Sequence, residues 1–455
     1  MTAGDAELVV VGGGPGGYTA AIRAAQEGVD VTLIEQGSVG GTCLNEGCVP
    51  SKALVSATRL VRRADEGSNR GIHADVRIEP DETYAWKDDV VRRSRRGVEK
   101  LCEANGVHIV KGRGVFVDEE TVRVEDEDGE RTVRFENAVV ATGSRPVEID
   151  GFPFAEDGVL NSSDVLADAP PDRLVVVGGG YVGAELSTAF ASMGCDVTVT
   201  EALDGILPRY ERDLVRPVRR KAEKAGVEFR TGVEATEWDG EVVTDDGRID
   251  CDAVLVAVGR EPATEDVGLG EAGVTTDERG FVETGDEGRT ANPRIFAVGD
   301  AAGEPMLAHA AADEGRVAAE VMSGGDATLK GRVVPEVVYT SPEIATVGLT
   351  EQEARDAGME PLVGEIRVGT NGRALTRDEP EGRVRLVADS DGRVVGGQAV
   401  CAEASEIIAE VALAVETEAT VDDIVGTVHP HPTISETVRE AAANCIGEAV
   451  HTLNR

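Results

Sequence analysis

The chain has 455 residues, too many for one ordinary domain, so two to four domains are expected, and a hydrophobic fraction of 41% suffices for several packed cores. Asp and Glu number 85 against 45 Lys and Arg, a formal charge of −40, which repels nucleic acid and anionic membrane and argues against both as partners. No apolar run of about 18 residues suits a membrane span, and the opening MTAGDAELVVVGGG lacks the basic start and apolar stretch of a signal peptide, so a cytoplasmic location is expected.

ELVVV at 7–11 reads as a buried strand. Gly12-Gly13-Gly14-Pro15-Gly16-Gly17 follows, then the helical pattern YTAAIRAAQEG, then a second strand, VDVTLIE, ending at Glu35. Each piece has a physical reason. Gly12 makes the tight turn, and Gly14 lets backbone approach a pyrophosphate that the helix N-terminus attracts. Gly17 lets helix and strand pack closely, and Glu35 accepts from ribose hydroxyls. The glycines alone are weak evidence; strand, helix, strand and acid together are strong.

GGTCLNEGCVPSKALVSATRL comes next, with Cys43 and Cys48 five residues apart. In a regular helix that spacing leaves the Cα atoms about 8 Å apart, beyond the roughly 4.4–6.8 Å a disulfide needs. A distorted turn is therefore expected, with Gly47 as its permissive residue. Pro50 suits a first helical turn, which puts Cys48 near a helix N-terminus where a thiolate is favoured. A zinc half-site is the competing reading, but no second Cys/His pair has the spacing to complete it, so no metal is expected. The other five cysteines stand alone in a chain that does not look secreted, and read as buried thiols.

Acidic clusters at 118–120 and 125–128 read as turns, and the basic residues are mostly Arg. A very soluble surface is the plain interpretation. Adaptation to salt is the sharper one, because in molar salt the Debye length falls to about 3 Å and dense carboxylates no longer repel strongly. A halophilic source is expected.

The first arrangement then recurs. DRLVVV is a strand, Gly178-Gly179-Gly180-Tyr181-Val182-Gly183 the turn, AELSTAFASMG the helix and CDVTVTE a strand ending at Glu201. From Gly178 to Glu201 is 23 residues, as from Gly12 to Glu35, so two dinucleotides are expected. A carboxylate at Glu201 accepts from a free 2′-hydroxyl and repels a 2′-phosphate, which favours NAD over NADP. Near the C-terminus, His429-Pro430-His431-Pro432 is followed by Glu436. Dithiol chemistry needs a base near neutral pH, and a carboxylate on the imidazole raises its basicity and fixes its tautomer.

GGTCLNEGCVPSK resembles the active-site segment of the flavoprotein disulfide reductases, the class I pyridine nucleotide-disulfide oxidoreductases. Its Pro-Ser-Lys ending is closer to the lipoamide and mercuric branches than to the glutathione branch. The resemblance implies that the first dinucleotide is FAD. It makes Cys43 the thiol that exchanges with substrate and Cys48 the one that contacts the flavin. Lys52 would lie beside the flavin and pair with Glu185. Ala141-Thr142-Gly143-Ser144 matches the family's turn closing the flavin half, and Gly259-Arg260-Glu261-Pro262 its counterpart after the nicotinamide half. IFAVGD ending at Asp300 matches the segment whose Asp binds the ribityl chain, and MLAHAAADEG follows with Ala308 and His309. Ala310 departs from the Lys that many members carry. Tyr181 reads equally as a lid over the nicotinamide or as a packing residue. The C-terminal cluster resembles His-x-His-Pro-Thr-x-x-Glu, which makes His431 the base and Glu436 its orienter. PEVVYTSPEIATVGLT resembles the start of the interface domain, implying a homodimer in which His431 serves the other subunit's cysteines.

The expected architecture is α/β, with two Rossmann-like domains and a C-terminal α+β dimerisation domain. The divisions expected are 1–150 for FAD and the redox pair, 151–270 for NAD, 271–334 completing the FAD site, and 335–455 for the interface. The expected reaction is oxidation of dihydrolipoyl groups, carried by a protein of a 2-oxoacid dehydrogenase complex or glycine cleavage system, with NAD as acceptor. Reduction of another small disulfide is the alternative. A mercuric reductase would show vicinal cysteines near the C-terminus, where only Cys445 lies. A redox-sensing scaffold would need neither the cysteine pair nor the His–Glu pair.

Overall fold

The N-terminal apolar run forms β1 (Ala6–Val11), the glycine turn leads into α1 (Pro15–Gln26), and β2 (Val31–Glu35) returns parallel to β1. The computed structural model describes residues 5–454. They divide into two compact units. The first takes residues up to 57 together with 76–169 and 257–331; the second takes 58–75, 170–256 and 332 onward.

In the first unit, α2 (Gly41–Asn45) and the start of α3 (Cys48–Asp65) follow β2. After α4 (Pro80–Ala104) come β3 (His108–Lys111), β4 (Arg113–Asp118), β5 (Thr121–Asp126) and β6 (Gly129–Val140). The sheet runs β3-β2-β1-β6-β5-β4, with Ile295–Ala297 also beside β6. β6 has two roles. Its first half pairs antiparallel with β5, and Phe135–Val140 lies along β1 in parallel. β1 is buried on both faces, as a parallel strand between two layers must be. Leu8 and Val10 join Ala20, Ala24 and Val317, while Val9 and Val11 join Phe116, Val122 and Val124. The helix Ala308–Met322 lies on α1 so closely that a Cβ on Gly315 would come 2.3 Å from Gly16 O.

In the second unit, β7 (Arg173–Val177), α5 (Tyr181–Ser192) and β8 (Asp196–Glu201) repeat the opening pattern. α6 (Arg212–Lys224) and β9 (Glu228–Thr231) follow. Three short antiparallel strands, β10 (Ala235–Trp238), β11 (Val242–Thr244) and β12 (Gly247–Ile249), precede β13 (Ala253–Val256). The parallel strands lie in the order β9-β8-β7-β13. The C-terminal part is an antiparallel sheet, β14-β15-β18-β17-β16, made of Glu336–Val338, Glu343–Gly348, Val394–Cys401, Arg383–Ala388 and Leu362–Arg367 respectively. Helices including Ala404–Glu416 and Glu436–Cys445 share its core.

The grouping differs from the expected divisions. Residues 151–169 and 257–270 lie with the first unit. There Arg260–Pro262 pairs antiparallel with Ser144–Pro146, and Phe116 N donates to Val267 O at 2.9 Å. The second glycine-turn stretch shares its unit with the C-terminal part, because Ala184, Leu214 and Val218 pack in one cluster with Val338, Ile344 and Val400. Among the described residues, no helix is long and apolar enough to cross a membrane.

Candidate active site

The two glycine turns have nearly the same geometry. Gly12 N donates to Ile34 O at 2.9 Å, and Gly178 N to Thr200 O at 2.8 Å. Glu35 accepts from Gly13 N (2.6 Å) and Gly37 N (2.7 Å); Glu201 accepts from Gly179 N (2.8 Å) and Leu203 N (2.9 Å). Each carboxylate oxygen therefore takes one backbone donor and keeps acceptor capacity for a hydroxyl. Gly12 and Gly178 have φ of 105° and 108°, a conformation that strongly favours glycine. A Cβ on Gly17 would sit 1.9 Å from Gly12 O, and one on Gly183 2.1 Å from Gly178 O, so these glycines set the helix-to-strand approach. Gly180 leaves the approach to its helix N-terminus open, whereas a Cβ on Gly14 would touch Gly41 Cα at 3.9 Å.

Cys43 lies in α2, and Cys48 is the first residue of α3. The turn works differently from expectation. Gly40 and Gly41, at φ 107° and 58°, take the left-handed backbone, whereas Gly47 has no positive φ. Gly47 is needed for space, since a Cβ there would lie 3.1 Å from Thr42 O. Asn45 ties the loop together, its Nδ2 donating to Ser38 O, Val39 O and Gly41 O at 3.0–3.3 Å. Sequence reasoning passed over it because Asn is common in any turn. Hydrogen bonding to Cys48, then burial, holds the Cys43 thiol far above its ordinary range, against the opposing charge of Lys52. Two close sulfurs titrate as a pair. Cys48 is exposed and opens α3, a position where a helix N-terminus favours a thiolate.

Thr142, Gly143 and Ser144 follow β6, and Gly143 has φ 75°. Thr142 Oγ1 is buried and has no hydrogen-bond partner among the described residues. A buried hydroxyl left unpaired by protein is what a ligand's polar atom would satisfy. With the glycine turn ahead of α1, this fits a bound dinucleotide. Ser144 donates to Asp300. Ala308 and His309 begin the long helix over α1, and Ala310 is buried. Gly259, at φ 143°, belongs to the first unit.

In the second unit, Glu185 is buried and accepts from Tyr339 N at 2.8 Å. Tyr181 opens α5 and is 44% exposed. His431 Nδ1 lies 2.9 Å from Glu436 Oε1, and Glu436 Oε2 accepts from Thr433 N at 2.8 Å. Burial pushes the Glu436 carboxyl up, but Thr433 and His431 together hold it below its ordinary value. His431 is exposed, whereas the ring of His429 is covered, with its Nε2 2.8 Å from Glu410. The two rings thus go to separate carboxylates, and no cluster suited to a metal occurs among the described residues.

A family model described as pyridine nucleotide-disulphide oxidoreductase matches residues 6–315, and its dimerisation domain matches 334–442. The chain is 49% identical to a dihydrolipoyl dehydrogenase of Haloferax volcanii, covering 100% of each. It is 42% identical to one from Geobacillus stearothermophilus, covering 99% of this chain and 98% of that one. Among solved structures, LpdA of Mycobacterium tuberculosis superposes with a TM-score of 0.90 at 28% identity, covering 96% of this chain and 98% of that one. RclA, an HOCl-induced flavoprotein disulfide reductase of Escherichia coli, gives 0.85 at 27%, covering 96% and 99%. With cysteine pair, paired dinucleotide turns and dimerisation domain all in place, the chain belongs to the pyridine nucleotide-disulphide oxidoreductase family.

Proposed function

We propose that the chain is a dihydrolipoyl dehydrogenase, with FAD on the first unit's glycine turn and NAD on the second's. The observation that carries the reading is the Cys43–Cys48 pair, hydrogen-bonded together at a helix start directly after a complete dinucleotide-binding turn. Relatives of that name align along the whole chain and include halophilic archaea, in keeping with its charge.

Glu436 accepts a hydrogen bond from His431 Nδ1, which leaves Nε2 free to take a proton from a substrate thiol. The thiolate so formed attacks Cys43 Sγ of a Cys43–Cys48 disulfide, and Cys48 leaves as thiolate. The second substrate thiol closes the lipoyl ring and releases Cys43. Lys52 favours the charged state of the pair. Bound FAD would supply the two-electron transfer that links dithiol oxidation to reduction of NAD to NADH. Glu35, Thr142, Gly143, Ser144, Asp300, Ala308 and His309 would hold it, with Gly12, Gly14 and Gly17 giving access. Gly178, Gly180, Gly183 and Glu201 would serve NAD. The dimerisation domain supports a homodimer in which His431 of one subunit serves the cysteines of the other. The electron donor would be a lipoyl-bearing protein of a 2-oxoacid dehydrogenase complex or glycine cleavage system.

The test is turnover in about molar KCl with dihydrolipoamide and either NAD or NADP. Activity with NAD and little with NADP is expected. Protein inert with dihydrolipoamide but active on another disulfide would overturn the substrate assignment.

A further inference from the structure

Two charged side chains of the first unit, neither needed by the mechanism above, converge on the Asp300 turn. Arg260 donates from Nε to Ser144 Oγ and from Nη2 to Ser144 O, both at 2.7 Å. Because Arg can only donate, the Ser144 hydroxyl must accept there, and its own proton goes to Asp300 Oδ2. On the other side, Glu314 accepts from Gly299 N at 2.5 Å. Gly299 has φ 70°, and a Cβ there would meet Ala311 Cβ at 3.1 Å. Glu314 is held in place because its neighbour Gly315 lets the helix press against Gly16 in the first glycine turn. Burial pushes the Glu314 carboxyl up, and the nearby Asp300 and Asp313 add to this. A carboxylate kept in such surroundings for a single backbone donor is costly unless the turn it anchors matters.

We propose that Arg260 and Glu314 are positioning residues for the flavin's hydroxylated side chain, fixing the Asp300 carboxylate from two sides through Ser144 and Gly299. One carboxylate oxygen is thereby committed to Ser144, and the other is aimed to accept from a ligand hydroxyl. Arg260, in the motif that closes the nicotinamide stretch, thus acts on flavin binding. The inference rests on reading Asp300 as the acceptor of the FAD ribityl chain.

The experiment is titration of apoprotein with FAD, followed by flavin fluorescence, with folding checked by circular dichroism. Arg260→Ala and Glu314→Ala should each weaken FAD by about tenfold to a hundredfold, the range for a lost hydrogen bond involving a charged group. Arg260→Lys, which keeps one donor, should fall between. Arg145→Ala should stay within about twofold, because Arg145 lies on the same strand pair but is exposed and, among the described residues, bonded to Glu261 and Glu265. A general loss of stability would not show the coupling expected next. On a Ser144→Ala background, Arg260→Ala should add no more than about twofold. FAD binding within about twofold of native in both alanine variants would overturn the proposal, as would an undiminished Arg260 effect without Ser144. Undiminished binding by Asp300→Ala would instead defeat the reading of Asp300 on which the proposal stands.

Discussion

The two glycine-turn halves share strand, turn, helix and acid with closely matching hydrogen bonds, yet only one carries a close cysteine pair, Cys195 and Cys251 of the other being buried single thiols. Even the loop after the acid begins alike. Gly40 N donates to Gly13 O at 2.7 Å, and Leu207 N donates to Gly179 O at 2.8 Å. From there they part. After Glu35, Gly40 and Gly41 turn the chain back over the fingerprint, and a Cβ on Gly41 would lie 2.6 Å from Gly14 Cα. The short α2 and the start of the longer α3 then set Cys43 and Cys48 side by side. After Glu201 the chain runs on to α6 with no such insertion, and Gly180 has nothing within 4 Å of where its Cβ would be. A common cradle binds; what is grafted after the acid decides whether the half also does chemistry.

Removing the grafted chemistry should give the largest effect. Cys43→Ser is expected to lower turnover on the order of a thousandfold or more while flavin content stays native. Turnover within about tenfold of native would show that the two halves do not differ as argued. His431→Gln should cost about a hundredfold to ten-thousandfold, the range for loss of a general base, again with the visible flavin spectrum unaltered.

The cradles can be broken one at a time. Gly17→Ala and Gly183→Ala should each strain their own turn, by about 1–3 kcal/mol or more. Flavin should be lost from the first variant only, and nicotinamide affinity should fall in the second while flavin remains. Loss of flavin from both would mean that the halves do not bind independently. The finest contrast lies in the acids. Glu201→Ala should relax NAD preference over NADP by roughly tenfold to a hundredfold, since it removes a like charge facing a 2′-phosphate. Glu35→Gln should leave that preference alone and weaken FAD by about tenfold; ratios of kcat/KM for the two nucleotides would decide.

Much of this was legible in the chain because it is local. A buried strand needs an apolar run, a tight turn needs glycine, and a helix N-terminus favours a thiolate, all within some thirty consecutive residues. Hence both cradles, the cysteine pair and the His431–Glu436 pairing could be read directly. Asn45, Arg260 and Glu314 could not, because each matters through a partner's backbone or hydroxyl, and an Arg or Glu in so charged a chain carries no signal of its own.

The sequence by itself determined the two nucleotide folds, the redox pair and the family, since each depends on residue types at short fixed spacing. Only the tertiary structure decided which segments pack together. It placed 257–331 with the first unit's sheet, because Arg260–Pro262 pairs with Ser144–Pro146. It also placed the second glycine-turn stretch with the C-terminal sheet, because their apolar faces share one core. Burial of apolar surface is non-directional, so a sequence shows that a face must be covered without showing by what.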